Sequence, residues 1–295
     1  MPGRTILFLK GADRVRYLNG QVTSNVSALH TNHTQPACVT TAKGRLCAEI
    51  MIAALADSLV VDADAALRES LPPRLERYIV ADDVELHDAS DEWRLLHFLP
   101  PQHHEASTAP PSKIASLYPR AARRFGRDGF DILAPVADAA GTIASLAEAY
   151  VVIEESMAET LRIEAGTPRW GHELGEDTLP PEAGLDRTHI DYHKGCYIGQ
   201  EVISRLKSVG HVNRHLAGLI SDTDAPLAAG MSVFHEASAA QIGALTSAAY
   251  SFALERPIAL GYLKRGSSAD GLIARSAESN GAEIRVAVRP LPFAS

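Results

Sequence analysis

Residues 194–201 read KGCYIGQE, placing an ammonium, a thiol and a carboxylate within eight positions around two glycines. The residues that follow, GQEVISRLKSVG (199–210), have a helical pattern. Gly199 stands at the N-cap, Gln200 and Glu201 in the first turn, Arg205 and Lys207 near the end, and Gly210 beyond it. That charge order suits the helix dipole, and Val202, Leu206 and Val209 form one apolar stripe. If residues 190–198 are extended, a period of two puts Ile190, Tyr192, Lys194, Cys196 and Ile198 on one face. Lysine and thiol would then be neighbours just upstream of the positive end of a helix, a setting that favours thiolate. Gly195 removes a side chain between them, so a ligand or another backbone could come close. The competing reading is plain: a free cysteine is usually a small buried hydrophobe, and a nearby lysine is usually solvated. Spacing alone leaves both open.

Working outward, 295 residues suggest two or three structural units, and 46% hydrophobic with 22% charged residues is an ordinary globular composition. The formal net charge of −8 argues against unaided, stable nucleic-acid binding, which needs clustered Lys and Arg. The one basic cluster, RAARRFGR (120–127), has a solvated face as its default reading and a docking patch as the alternative. The apolar run at Ile6–Leu9 is too short for a signal peptide, and no stretch approaches the ~20 apolar residues of a membrane span. Three cysteines, Cys38, Cys47 and Cys196, are odd in number and form no CxxC pair. A disulfide framework and a four-thiolate zinc site are therefore disfavoured, and a reduced, cytoplasmic protein is expected.

Along the chain, residues 1–47 predict a short strand, a polar helix near Asp13–Leu18 and a strand near Ala37–Thr41. AEIMIAAL and DSLVVDAD predict a hairpin, followed by a helix over Ala65–Tyr78 and strands in VELHDAS and EWRLLHFL. Leu99–Lys113 reads as an exposed Pro-rich loop, then come a strand at Phe130–Leu133 and a helix in GTIASLAEA. ESMAETLRIEAG predicts a helix stopped by Gly166, and the broken apolar runs from Leu216 onward predict a β-rich terminal domain.

With these segments in view, KGCYIGQE resembles the signature of the YgfZ-type folate-binding proteins, relatives of the glycine-cleavage T-protein (aminomethyltransferase). Further stretches in the same order are similar to that superfamily: KGADRVRYLNGQVTSNV (10–26), TAKGRLCAEI with Lys43, Gly44 and Arg45, FGRDGFDILAP (125–135), LRIEAGTPRWGHEL, LPPEAGL, and IGALTSAAYSFALERPIALGYLKR. The resemblance implies an α+β, three-domain T-protein-like fold. Its parts are a discontinuous folate-binding domain (1–47 and 153–206), a ferredoxin-like middle domain (48–152) and a C-terminal β-barrel (207–295). Glu164 sits where the family has its pterin-binding carboxylate, and a carboxylate can accept the paired N–H groups of a pterin as it would those of a guanidinium.

Members with the Lys-Gly-Cys octapeptide are implicated in folate-dependent assembly or repair of iron–sulfur clusters, with a tRNA-methylthiolating enzyme among their clients. The resemblance thus implies tetrahydrofolate or a derivative as cofactor, iron–sulfur client or assembly proteins as partners, transient cluster contact, and no membrane partner. Cys196 would act as nucleophile or transient metal or sulfur ligand facing the folate, with Lys194 holding its charge. Gly195, Tyr197, Gly199, Gln200 and Glu201 would shape the loop and contact ligand. No resident metal is expected. The family's aminomethyl-transferring members carry an Asn where this chain has Asp62, which disfavours glycine cleavage. Asn25 stands where relatives often have Asp.

Alternatives are a folate-dependent aminomethyl transfer, an adaptor that has lost its ligand, and a metal site in HIDYHKGC, where a strand would turn Cys196 away from His189 and His193.

Overall fold

The computed structural model describes residues 3–31, 33–100, 119–148, 150–238, 240–276 and 283–293. Two compact units emerge, the first from residues 1–153 with 186–204, the second from residues 154–185 with 205–295.

The first unit is built on an antiparallel five-stranded sheet of order β2-β3-β4-β1-β5. Its strands are β1 (Arg4–Lys10), β2 (Thr34–Thr40), β3 (Leu46–Ala54), β4 (Leu59–Asp64) and β5 (Glu85–Asp88). ILFL of β1 (Ile6 to Leu9) is an unbroken apolar run because that strand lies between β4 and β5 and is buried on both faces. The expected β3–β4 hairpin is present, closed by a Leu55 N–H to Ser58 carbonyl bond of 2.8 Å. Helix α1 (Arg14–Gln21) precedes β2, and the expected helix over 65–78 is a 3-10 turn at Ala65–Leu67 followed by α2 (Leu71–Glu76). A boundary at 47/48 would cut β3 inside its run of pairing with β2, so the hairpin belongs to the sheet begun by the amino terminus.

A second sheet in this unit has order β6-β8-β7, from β6 (Trp93–Phe98), β7 (Arg120–Arg124) and β8 (Arg127–Pro135), and is backed by α3 (Val136–Ala147). Phe130 and Ile132 pack there with Leu96, Phe98, Leu146 and Tyr150. Phe125 and Gly126, with φ of 53° and 67°, make the tight β7–β8 turn. The expected 99–113 loop lies outside the described residues from position 101 onward.

The second unit is a closed barrel of order β10-β11-β12-β9-β14-β13, with helix α4 (Glu155–Glu164) packed against it. Its strands are β9 (Arg214–Ser221), β10 (Ser232–His235), β11 (Gln241–Ser251), β12 (Arg256–Lys264), β13 (Leu272–Arg275) and β14 (Ile284–Arg289). Alternation divides β9: Ala217 and Leu219 join the barrel core, while Leu216 and Ile220 turn toward Ile163 of α4. Burying Ile163 completely in this way contributes roughly 1.5–3 kcal/mol. The helix ends as its sequence predicts. Gly166 at φ 70° lets Thr167 N–H reach the Arg162 carbonyl (2.8 Å) and Gly166 N–H reach that of Ile163 (2.9 Å).

Among the described residues no helix is long and apolar enough to cross a membrane.

Candidate functional site

The octapeptide occupies the surface of the first unit, but not as a strand. Tyr192 and His193 form a turn, residues 195–197 are irregular, and α5 (Gln200–Ser208) begins directly after Gly199. The expected shared face is therefore corrected: Lys194 is 8% exposed, whereas Cys196 is exposed. The Lys194 ammonium donates to the carbonyls of Asn19, Val22 (2.7 Å) and Ser24 (3.0 Å). Its three N–H bonds are thus committed to the last turn of α1 and the chain that leaves it, not to the thiol. Burial pushes the Lys194 amine down to about 8, with Asp191 acting in the opposite sense.

The rest of the loop is stitched to the same region. Asp191 N–H donates to the Thr23 carbonyl (2.9 Å), and Thr23 Oγ1 donates to the His189 carbonyl (2.6 Å). His189 Nε2 lies 3.2 Å from Glu49 Oε1, and its Nδ1 is 2.8 Å from Thr188 Oγ1. Burial alone would raise the Glu49 carboxyl, but the His189 hydrogen bond and charge, helped by Arg4 and Arg124, hold it below the usual range. His189 is thereby a fastening residue. Among the described residues no group of three or more His, Cys, Asp or Glu could hold a metal ion.

On the other side of the thiol, Gly199 is fixed by two constraints. Its φ is +90°, and a Cβ there would lie 2.5 Å from the Thr41 carbonyl oxygen and 2.7 Å from Thr40 Oγ1. Thr41 begins the tight β2–β3 turn that contains Lys43, Gly44 and Arg45, closed by Thr41 N–H to Arg45 O at 2.8 Å. Gly44 in that turn faces Val202 and Ile203 of α5, and Ile203, not the expected Val202–Leu206–Val209 stripe, is the fully buried residue. Val209 falls after the helix and is 81% exposed. Replacing Gly199 with Ala is expected to destabilise the first unit by about 2–4 kcal/mol, since left-handed backbone strain adds to a collision with backbone. Urea unfolding checks this, and a loss below about 1 kcal/mol would show that the turn can yield.

Gly195 is different. No atom lies within 4 Å of where its Cβ would be, and its φ is outside the left-handed region. Neither packing nor backbone conformation demands glycine beside the exposed thiol. Tyr197 is 7% exposed, burial pushes its phenol upward, and its hydroxyl has no partner among the described residues. Gln200 is half-buried and Glu201 exposed in the first turn of α5. Asn25 precedes a short 3-10 turn without capping it through its side chain.

Asp62 is 4% exposed. It accepts from Arg4 (2.5 Å) and Arg124 (2.5 Å), and Arg124 also pairs with Asp131 (2.7 Å), which meets His97 Nδ1 at 2.8 Å. This buried chain of charges ties the five-stranded sheet to the three-stranded one. The basic cluster is likewise mostly spoken for: Arg123 pairs with Asp128 and Arg127 donates to the Pro100 carbonyl.

In the second unit Glu164 is half-buried at the end of α4, where Ser251 Oγ donates to its Oε1 at 2.5 Å. Sequence reasoning overlooked a neighbour of equal weight. Glu173 is 2% exposed and accepts from Arg162 (2.8 Å), Arg169 N–H (3.0 Å), Thr246 (2.6 Å) and Ser247 (2.6 Å). Arg162, 4% exposed, also holds Glu159 and Ser247. The nearest sequence signal was an Arg and a Glu framing the Gly-Thr-Pro turn, with nothing to indicate that both are buried.

Residues 214–294 match the family model described as the glycine cleavage T-protein C-terminal barrel domain. An aminomethyltransferase of Streptomyces avermitilis is 34% identical over 57% of this chain and 46% of its own length. One from Saccharopolyspora erythraea is 25% identical over 97% of this chain and 83% of its own. The crystal structure of glycine cleavage system aminomethyltransferase T from Bartonella henselae superposes with a TM-score of 0.84 at 19% identity, covering 98% of this chain and 84% of that one.

Proposed function

We propose that this chain, which has the T-protein fold and a T-protein-type carboxy-terminal barrel, binds a reduced folate and serves in the assembly or repair of iron–sulfur clusters in client enzymes. A tRNA-methylthiolating enzyme is among the clients this reading includes. The observation that carries it is the thiol of Cys196. It is free and exposed in a loop whose other anchors, Lys194 and Gly199, are both committed to structure. An anchored loop that offers one thiol to the outside suits a nucleophile or a transient sulfur or metal ligand.

The folate side of the proposal rests on Glu164. A pterin presents an amide N–H and an amino group side by side, and a half-buried carboxylate can accept both. Ser251 steadies one oxygen without consuming its remaining lone pair, so the donor set fits. A reduced folate, when bound, supplies nitrogen atoms that carry one-carbon groups. Glu164 would orient the pterin. In the first unit, Gly195 places no side chain beside the thiol. Lys194 is assigned here as a positioning residue rather than the thiol's counter-ion.

Tetrahydrofolate titration by calorimetry is the first test. Glu164→Gln is expected to weaken binding by about 10–100-fold, the cost of losing a charge-assisted hydrogen-bond pair, with an unchanged circular dichroism spectrum. Cys196→Ser should fold normally yet fail to restore cluster-enzyme activity in cells lacking the protein. Full restoration by that variant would remove the thiol from the mechanism. Aminomethyl transfer is the second reading, favoured by the names of the relatives. Turnover by purified protein in a glycine-cleavage assay would put it first.

A further inference from the structure

The residues assigned so far leave one feature of the second unit unused. The β11–β12 hairpin carries two aromatic side chains into solvent, Tyr250 at 45% and Phe252 at 69% exposure, with ring centroids 5.5 Å apart at 71°. They line a concavity of about 740 Å³ together with Asp224, Leu254, Glu255 and Arg256.

We propose that this hairpin pocket docks a basic segment, arginine- or lysine-bearing, of a partner protein. Two properties of the pocket select a cation. Aromatic rings offer a negative face to a guanidinium or ammonium. The carboxylates of Asp224 and Glu255 outnumber the single resident cation, Arg256. That guanidinium is partly spent on the Asp222 carbonyl at 3.1 Å and sits 4.0 Å from Asp224, whose side chain is 91% exposed. The chain as a whole carries −8, so approach of a basic partner is favoured at long range.

The pocket is also held in shape before anything binds. Ser251, 0% exposed, accepts from Leu254 N–H at 3.1 Å and donates to Glu164, pinning both sides of the turn. Leu254 packs beneath it against Ile258 and Leu260. Aromatic side chains have few rotatable bonds and so lose little freedom on binding, which is why such rings make efficient anchors.

The test uses the full chain and fluorescein-labelled tetra-arginine, with tetra-glutamate as the control, read by anisotropy. Tetra-arginine is expected to bind with an affinity that falls as salt rises. Phe252→Ala should weaken it about tenfold without altering net charge, and Asp224→Asn should weaken it severalfold. Glu255→Gly separates binding from stability. Glu255 has φ 52°, where glycine is at ease, so this variant should melt at or above the wild-type temperature and still lose affinity severalfold. Affinity within twofold of wild type for both Phe252→Ala and Glu255→Gly would overturn the proposal, as would equal binding of tetra-glutamate. Light scattering that finds a dimer abolished by Phe252→Ala would assign the pocket to a second copy and overturn it too.

Discussion

Lys194→Met is expected to destabilise the first unit by about 3–5 kcal/mol, the largest effect of any single change in the octapeptide. Methionine keeps the length and apolar stem of the lysine but removes three donors at once. The carbonyls of Asn19, Val22 and Ser24 then stay in a buried position with no compensating partner. A lost partner costs more than a hydrogen bond contributes net, because the orphaned acceptor has already given up water. Cys196→Ser, two positions away, should shift the urea midpoint very little, because the thiol is exposed. The pair of midpoints decides the matter. A Lys194→Met midpoint close to that of Cys196→Ser would mean that the carbonyls find water, and that the lysine is free for another role.

Arg124→Met is the second large expectation, and its size depends on pH. Burial would raise the Asp131 carboxyl, but the Arg124 charge, with hydrogen bonds from His97 and Arg124, holds it well below the usual carboxylate range. The unfolded chain titrates near 4. Asp131 therefore contributes stability that is fully present above about pH 4 and is lost as pH falls below it toward the folded value. Removing the guanidinium strips Asp131 of its main charge partner and leaves Asp62 with Arg4. The expected loss is about 3–5 kcal/mol at pH 7, the cost of an uncompensated buried charge. It should shrink toward pH 4, where the abandoned carboxyl can protonate. Urea unfolding at both pH values checks this, and a loss of equal size at the two would show that packing, not charge, is what Arg124 provides.

Much of the local structure was legible in the sequence because it is written in short-range patterns. Two successive apolar runs exposed the β3–β4 hairpin, and a glycine after ESMAETLRIEA marked the end of α4. Gly199 followed by Gln200 and Glu201 marked the start of α5. The broken apolar runs after Leu216 foretold a β-rich terminal unit, whereas its closure into a barrel is a matter of strand pairing. Less legible was the site. A period-two reading placed Lys194 beside Cys196, but that rule holds only for an extended chain, and the turn at Tyr192–His193 dissolves it. The basic run at 120–127 looked like a solvated face, although Arg124 is 9% exposed between two acids.

By itself, then, the sequence determined which segments become strands and helices, where glycine must stand, and that one cysteine sits at the start of a helix. Tertiary structure alone decided which charges are buried. Lys194 finds its acceptors about 170 residues upstream, and Glu173 finds Thr246 and Ser247 over 70 residues downstream. The physical reason is that a buried charge is tolerable only with its partners present. Those partners are brought by the pairing of distant strands and loops, which no local period records.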